Sequence, residues 1–145
     1  MARMHKSSRG SSGSSNPVEK KQPEWLDYEE DEVEELVLKL KDEGHDPSQI
    51  GMKLRDEYGI PDVKTVTGKK VTEILAENNA QEELPEDLRN LLDKAESINQ
   101  HLEENKNDEK AQRRLSLVEA KIRRLASYYR EEGRIDKDWE YESKE

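Results

Sequence analysis

Residues 84–134 carry the pattern that most limits what this 145-residue chain can fold into, because apolar side chains recur there every three or four positions in two consecutive stretches. That spacing is the period of an α-helix. The apolar positions are Leu88, Leu91, Leu92, Ala95, Ile98 and Leu102, followed by Ala111, Leu115, Val118, Ile122, Leu125 and Tyr129. The polar residues 105–108 separate the two stretches and Gly133 ends the second, so the pattern predicts a long antiparallel helical hairpin.

The second predicted helix carries a basic face beside its apolar stripe. An advance of about 100° per residue groups these side chains in one sector: Lys110, Arg113, Arg114, Lys121, Arg124 and Tyr128. Leu117 is the one apolar residue among the bases, whereas Glu109 and Glu119 fall outside the sector. An ordinary solvated amphipathic helix is the alternative. In a chain of net charge -10, this segregation favours a helix that docks on an acidic polymer such as nucleic acid.

Composition sets limits on the remainder of the chain. Only 30% of residues are hydrophobic and 41% are charged, which predicts one domain or two small ones with a modest core. The acidic balance argues against nucleic acid, unless the surface is acidified for a high-salt cell interior. The absence of cysteine excludes disulfides and zinc–thiolate sites. Because apolar runs are very short, we expect no membrane association and a cytoplasmic location.

The first 22 residues form a Ser- and Gly-rich segment without periodicity. Its charged residues are Arg3, Lys6, Arg9, Lys20 and Lys21 against Glu19 alone. Such composition is typical of a free tail. The alternative is a basic arm that becomes ordered by threading into a partner.

Residues 23–80 are predicted to be a small helical extension. Eleven acids stand against two lysines between positions 24 and 46, and apolar spacing predicts a helix over about 29–43, ended by Gly44. The run Asp46-Pro47-Ser48-Gln49 is a helix start, predicting a second helix to about Tyr58. We expect Ile50, Leu54 and Met52 to be buried in it and Gly51 to permit close helix packing. Two short helices around a glycine turn are also the outline of a DNA-binding helix-turn-helix.

A third helix is expected from Val63 or Thr67 to Glu77, followed by a polar linker over residues 78–83. The residues Thr67, Gly68, Lys69 and Lys70 make a possible phosphate contact, with an ordinary solvated helix start as the alternative. They are not a P-loop, because the upstream glycine and the preceding strand are missing. The C-terminal tail, residues 135–145, contains Trp139 and Tyr141 and is interpreted as a packing anchor, with a base-stacking platform as the alternative.

No pattern of catalysis or cofactor binding stands out. The histidines His5, His45 and His101 lie on three different segments without metal-ligand spacing, and no nucleophile or nucleotide-binding motif is present. We therefore expect a non-enzyme with no cofactor and no small-molecule substrate.

Taken in order along the chain, these segments resemble the small-subunit ribosomal protein fifteen family in its archaeal and eukaryotic branch. The matching residues are Arg3-Met4-His5; 23–26, PEWL; 47–51, PSQIG; Leu54-Arg55-Asp56; 66–69, VTGK; 84–88, LPEDL; His101-Leu102-Glu103 with Asn105 and Asp108; 123–126, RRLA; Tyr128-Tyr129; and 139–143, WEYES.

The resemblance implies an all-α protein that binds a three-way junction in the central domain of small-subunit ribosomal RNA, helps assembly and lies near a bridge to the large subunit. In the bacterial branch His, Asp and Ser residues at the hairpin turn read an RNA minor groove. His101 and Asp108 match the His and Asp, whereas Asn105 replaces a second His and Ala111 replaces the Ser. Tyr128 matches the junction tyrosine. A bacterial loop before the hairpin has no counterpart here, and the N-terminal extension is a possible source of its contacts.

The expected partners are small-subunit ribosomal RNA, neighbouring ribosomal proteins and, at a bridge, large-subunit RNA. A high-salt archaeal origin is a further hypothesis. Two rival functions remain open: a DNA-binding module on residues 29–58, and a helical adaptor that binds proteins through its acidic face. The candidate RNA-binding residues are His101, Asn105, Lys106, Asp108, Lys110, Arg113, Arg114, Lys121, Arg124, Tyr128, Thr67, Gly68, Lys69, Lys70, Arg3, His5, Lys6 and Arg9.

Overall fold

The structure is a computed structural model that describes residues 9–144. Six α-helices, and no strand, occur in this range: α1 (Glu30–Asp42), α2 (Pro47–Glu57), α3 (Val63–Thr67), α4 (Val71–Glu77), α5 (Glu86–Glu104) and α6 (Glu109–Glu131). The expected all-α class is confirmed. Residues 9–22 are exposed and without regular structure, and Lys20 pairs with Asp62 at 2.9 Å.

Helices α1 to α4 fold around their own small core. Its buried side chains are Val33, Val37, Leu40, Ile50, Leu54, Ile60, Val63, Ile74 and Leu75. Most of these residues are completely inaccessible, although none is larger than leucine. Four helices are needed to bury them because each helix is short and contributes only one to three of them. We call α1–α4 the N-terminal unit.

The start of α2 follows the predicted pattern. The backbone N–H of Asp46 donates to the Gln49 side chain at 3.1 Å, and Pro47 occupies the first turn. Two other expectations for this helix are wrong. Met52 is 56% exposed because it lies on the side away from Ile50 and Leu54. A Cβ atom at Gly51 would meet no atom within 4 Å, so Gly51 does not bring helices together.

Residues 63–77 form two helices instead of the predicted single one. Gly68 adopts a left-handed conformation with φ +72° and ends α3, and its N–H donates to the Lys64 carbonyl at 2.8 Å. Because a left-handed residue cannot continue a right-handed helix, the chain turns there and α4 begins at Val71.

Helices α5 and α6 form the predicted long hairpin. Buried between them are Leu88, Ala95, Val118, Ile122 and Ala126. After α6 the chain turns at Gly133, which has φ +72°, and the tail returns across the hairpin. Ile135 is buried and Trp139 and Tyr141 pack on the same core, which confirms the interpretation of the tail as an anchor.

Polar contacts join the N-terminal unit to the hairpin. The Arg89 guanidinium on α5 pairs with Asp46 and with Glu82 of the linker, and Glu82 also pairs with Lys41 of α1. Ser48 donates its backbone N–H to Glu86 at 3.1 Å. Arg134 donates to the carbonyls of Glu82 and Glu83 at 2.7 and 2.9 Å. These contacts hold the first turn of α2 next to the first turn of α5.

Candidate nucleic-acid interface

The basic face of α6 is exposed over its whole length. Lys110, Arg113, Arg114, Lys121 and Arg124 all point to solvent. None of these five bases forms an ion pair with an acid in the part of the chain that the structure describes. Arg123, which is not part of this face, contacts Glu119 at 3.9 Å. The cations of this face are therefore available to phosphate groups.

The basic face continues into a groove at the turn of the hairpin. The groove measures about 530 Å³ and is lined by Ser97, Ile98, His101, Asp108, Lys110, Ala111 and Arg114. It is shallow and open, which suits the wide minor groove of an A-form helix better than a small molecule. Ser97 was missed by the sequence reading. It lies one turn before His101, so helical spacing could have placed it there.

Asp108 holds the turn together. Its Oδ1 accepts the backbone N–H of Ala111 at 3.0 Å as the N-cap of α6, and its Oδ2 lies 2.9 Å from Nε2 of His101. The hydrogen bond from His101, followed by the Ala111 N–H, holds the pKa of Asp108 below its usual range. The carboxylate is thus ionised, and its partners fix its direction at the mouth of the groove.

Asn105 and Lys106 occupy the turn itself, and both are exposed. The Asn105 amide donates to the His101 carbonyl at 3.2 Å. The Lys106 carbonyl accepts from the Gln112 side chain at 2.8 Å. Their groove-contacting role stays a prediction.

Tyr128 and Tyr129 are adjacent but face different surroundings. Tyr128 is 53% exposed at the far end of the basic face. Tyr129 is half-buried, and its hydroxyl donates to both oxygens of Asp87 at 2.7 Å. Burial, and secondly the Asp87 carboxylate, raise the pKa of Tyr129 to about 12. The ring of Tyr128 lies 5.3 Å from that of Tyr129 and is tilted from it by 60°.

The four residues of the expected phosphate contact between α3 and α4 differ in their availability. Thr67 is 5% exposed, and its hydroxyl donates to the Val63 carbonyl at 2.9 Å, so it serves the turn. Gly68 forms that turn. The Lys69 ammonium lies 2.8 Å from Glu77 and 3.3 Å from Glu34, and these contacts raise its pKa. Lys70 is exposed, and of the four it is the side chain open to an incoming phosphate.

The basic arm is described only from Arg9 onward, and Arg9 is exposed. The predicted contacts of Arg3, His5 and Lys6 lie outside the described residues.

Residues 9–144 contain neither a cluster of metal ligands nor a membrane-spanning helix. No group of three or more His, Cys, Asp or Glu side chains there could hold a metal ion. No helix in that range is long and apolar enough to cross a membrane. Fold and surface together define a class of protein: a small helical protein with a segregated, exposed basic face.

Comparisons with known proteins identify the family. Residues 70–145 match the family described as ribosomal protein S15, and residues 1–60 match the ribosomal S13/S15 N-terminal domain. The chain therefore belongs to the ribosomal protein S15 family. A member of this family is a structural constituent of the ribosome in the cytoplasm and not an enzyme.

Archaeal relatives share this similarity over nearly their full length. The chain is 55% identical to the small ribosomal subunit protein uS15 of Haloquadratum walsbyi, over 97% of this chain and 91% of the relative. It is 53% identical to that of Halobacterium salinarum, with coverage of 97% and 93%. It is 46% identical to that of Nitrosopumilus maritimus, with coverage of 99% and 96%. Halophilic species among the relatives fit the acidic composition.

Proposed function

We propose that this chain binds small-subunit ribosomal RNA at a three-way junction of its central domain, supports assembly of the subunit there and lies near a bridge to the large subunit. One observation carries the proposal. A row of exposed bases on α6 remains without acidic partners, among residues 9–144, in a chain whose net charge is -10. Bases placed at random in an acidic chain would be mixed with carboxylates, so a row of unpaired bases indicates a binding surface. Phosphate groups are the natural complement of such a surface.

The two parts of the interface have different tasks. The basic face of α6 holds the hairpin on the RNA through phosphates, which fixes position without reading sequence. The groove at the turn reads the shallow minor groove, where hydroxyls and base edges are exposed. Asp108 suits this second task because a carboxylate accepts from a base amino group or a 2′-hydroxyl, whereas it repels phosphate.

Residues 1–22 are proposed as the arm, 23–80 as the extension, 81–134 as the RNA-binding core and 135–145 as the tail. The core holds the proposed groove and the basic face. The extension carries Lys70 and most of the acids. In this division the acidic surface of α1 faces solvent or neighbouring ribosomal proteins.

A salty cell interior reconciles the net charge with an RNA ligand. At about 1 M salt the Debye length is about 3 Å, so acids on α1 scarcely oppose binding at α6. Contacts that form at the interface itself persist, because hydrogen bonds and close ion pairs act within that distance. We propose adaptation of the surface to such an environment.

The rival DNA module receives no support from the contacts of α2. In a helix-turn-helix the second helix presents its bases to DNA. Here Lys53 contacts Glu57 at 3.2 Å and Arg55 contacts Asp56 at 2.8 Å, so both bases of α2 are already paired. A protein-binding adaptor remains an outcome of the experiment below.

The test compares binding of the full chain to a small ribosomal RNA three-way junction and to a DNA duplex of equal length, titrated with KCl into the molar range. We expect preference for the junction to survive high salt. If both nucleic acids bind equally and binding disappears as salt rises, the basic face attracts nucleic acid only through nonspecific electrostatics. Absence of binding to either would leave the adaptor function.

A further inference from the structure

A groove of about 670 Å³ lies on the N-terminal unit, and all residues that line it fall between positions 16 and 71. Residues 16–23 line it from the end of the arm. The arm is attached there because Lys20 pairs with Asp62 at 2.9 Å. Asp62 also accepts the backbone N–H of Lys64 at 3.2 Å as the N-cap of α3. One carboxylate thus starts α3 and holds the arm beside it. We call this surface the arm groove.

Large apolar side chains are exposed in the arm groove. Trp25 and Met52 line it and are 66% and 56% exposed, and Pro61 and Val66 extend the apolar lining. Cζ3 of Trp25 lies 3.4 Å from the place that a Cβ atom would take on Gly59. One edge of the ring therefore rests on the backbone of Gly59, while most of the side chain stays in water. Apolar groups that lie together on a surface in this way mark an interaction site.

The charged side chains of the arm groove leave two free cations. Asp62 and Glu19 are the acids that line it, and each is paired with a lysine of the arm at 2.9 Å. Arg55 is paired with its neighbour in α2. Lys64 and Lys70 also line the groove and are exposed, and neither has an acidic partner among residues 9–144. The groove therefore attracts an anionic partner.

The arm groove differs from the basic face of α6 in the balance of apolar and charged groups. On α6, five unpaired bases accompany Leu117 and Tyr128. In the arm groove, exposed apolar side chains predominate over two unpaired bases. The first balance suits a row of phosphates, whereas the second suits a protein segment, because tryptophan and methionine are enriched at protein–protein interfaces. The flexible side chain of Met52 can also adapt to the shape of an apolar partner.

High salt gives the two kinds of contact different tasks. At about 1 M salt the Debye length is about 3 Å, so the free lysines act only on carboxylates that reach them. Burial of apolar surface does not depend on unscreened charge. An apolar side chain of the partner therefore supplies most of the binding in a salty cell interior, and its acids set the orientation.

We infer that the arm groove binds an acidic segment of a neighbouring protein in the small ribosomal subunit. An apolar side chain of that segment packs on Trp25 and Met52, and its carboxylates pair with Lys64 and Lys70. The inference goes beyond the proposed function, because it concerns a different class of partner and uses none of the residues of the basic face. The protein then joins RNA through its hairpin to a second protein through its N-terminal unit.

Site-specific photocrosslinking in intact small subunits tests the partner. The photoreactive residue p-benzoylphenylalanine replaces Met52, and small subunits that contain this variant are purified and irradiated. Mass spectrometry should identify a crosslinked segment of another ribosomal protein, in which Asp and Glu outnumber Lys and Arg around an apolar residue. The matched control carries the same photoreactive residue at Glu35, which is exposed on α1 but does not line the groove. The control should not reach that segment.

Any other crosslinking result overturns the inference. A crosslink to ribosomal RNA would make the groove a nucleic-acid site, and a crosslink to a basic protein segment would contradict the role of the free lysines. A crosslink within this chain, or no crosslink beyond that of the control, would mean that no partner segment occupies the groove.

A synthetic peptide with the crosslinked sequence tests the individual contacts. In a Trp139→Phe background Trp25 is the only tryptophan, and its emission should shift to shorter wavelength as the ring leaves water. Lys64→Glu should weaken peptide binding about tenfold at low salt and much less in molar KCl. Met52→Asp should abolish binding at both salt concentrations, because a charge replaces the apolar contact. Lys39→Glu is the matched control, since Lys39 is exposed on α1 outside the groove, and it should bind normally.

Junction binding separates this inference from the proposed function. Neither Met52 nor Lys64 belongs to the basic face of α6, so Met52→Asp and Lys64→Glu should lose the peptide while they bind the RNA junction normally. Thermal unfolding checks that both variants are folded, which we expect because both side chains are exposed. If the unchanged protein prefers the junction but does not bind the peptide, this inference fails alone. If it binds the peptide without preferring the junction, the proposed function fails and the arm groove stands.

Discussion

The N-terminal unit and the face of α6 use basic residues in opposite ways. In the unit, three lysines are paired with acids: Lys41 with Glu82, Lys53 with Glu57, and Lys69 with Glu34 and Glu77. On the basic face of α6, arginines such as Arg113 and Arg124 are exposed without acidic partners in the described chain. The same residue types thus stabilise the fold in one region and remain available to a polyanion in the other. Net charge alone conceals this difference.

The comparison also concerns packing. Four short helices form one core, two long helices form the other, and polar contacts join them. Each region has a tryptophan beside it that can report on it by fluorescence. Trp25 precedes α1 and lies next to Gly59, and Trp139 packs on the core of the hairpin. The predictions below begin with the two cores and end with single side chains at the interface.

The largest effect is expected from emptying either core. Leu54 in the N-terminal unit and Leu88 in the hairpin are both 0% exposed, so replacing either by alanine should cost about 2 to 5 kcal/mol in the free energy of unfolding. Urea denaturation measures this cost. In a Trp139→Phe background Trp25 is the only reporter, and Leu54→Ala should lower the urea midpoint more than Leu88→Ala does. In a Trp25→Phe background Trp139 is the only reporter, and the order of the two midpoints should reverse. Equal shifts at both reporters would mean that the two regions unfold as one.

The second-largest effect is expected from reversing the charge of bases that contact RNA. Reversing Arg113→Glu or Arg124→Glu should each weaken junction binding about tenfold. The two positions lie about 16 Å apart along the helix, so the double variant should lose about 100-fold.

Lys53→Glu and Arg55→Glu on α2 provide the matched control, since both bases are paired within the protein. We expect their RNA affinity to change by less than threefold, which is a difference of about 0.6 kcal/mol. A larger loss on α2 than on α6 would revive the helix-turn-helix interpretation.

A third effect distinguishes the two adjacent tyrosines. Tyr129→Phe should cost on the order of 1 kcal/mol of stability, because the Asp87 carboxylate loses its hydrogen-bond donor, while RNA binding should be retained. Since the folded protein raises the pKa of Tyr129 above the ordinary value of 10, the stabilising contact is complete below about pH 10 and is lost as pH rises towards 12. Absorbance titration of tyrosinate should show one step near pH 12 that Tyr129→Phe removes. A step that persists in this variant would assign the raised pKa to another tyrosine.

The smallest effect concerns Asp108, where the structural and the binding roles must be separated. Asp108→Ala removes the N-cap of α6 and should cost about 1 kcal/mol, whereas Asp108→Asn keeps a cap acceptor and should cost little. Both should reduce discrimination among RNA sites more than they reduce affinity. If Asp108→Ala discriminates normally, the groove-reading role is wrong. Because the folded pKa of Asp108 is lowered, its contribution to stability is complete above its ordinary pKa near 4 and is lost as the pH falls below that.

Much of the fold could be predicted because it depends on local patterns. Periodicity located α5 and α6, and the Asp46–Gln49 contact at the start of α2 is encoded within four residues. The two errors on α2 have a common cause. Met52 and Gly51 were assigned to the interior because their residue types permit it, but burial depends on which face of α2 meets its neighbours.

The candidate interface divides in the same way. Sequence alone determined the hairpin, the basic face of α6 and the proximity of His101 to Asp108, because residues on one helix or across one short turn have fixed spacing. Only the tertiary structure decided which side chains are occupied by other contacts. Lys69 forms ion pairs while Lys70 is exposed, and Tyr129 is hydrogen-bonded to Asp87 while Tyr128 is exposed. The tertiary structure also places Lys70 and Tyr128 in the lining of one cavity. Helical period fixes the direction of a side chain relative to its own helix. What that side chain meets depends on segments distant in the sequence, whose position here is set by the ion pairs of Arg89.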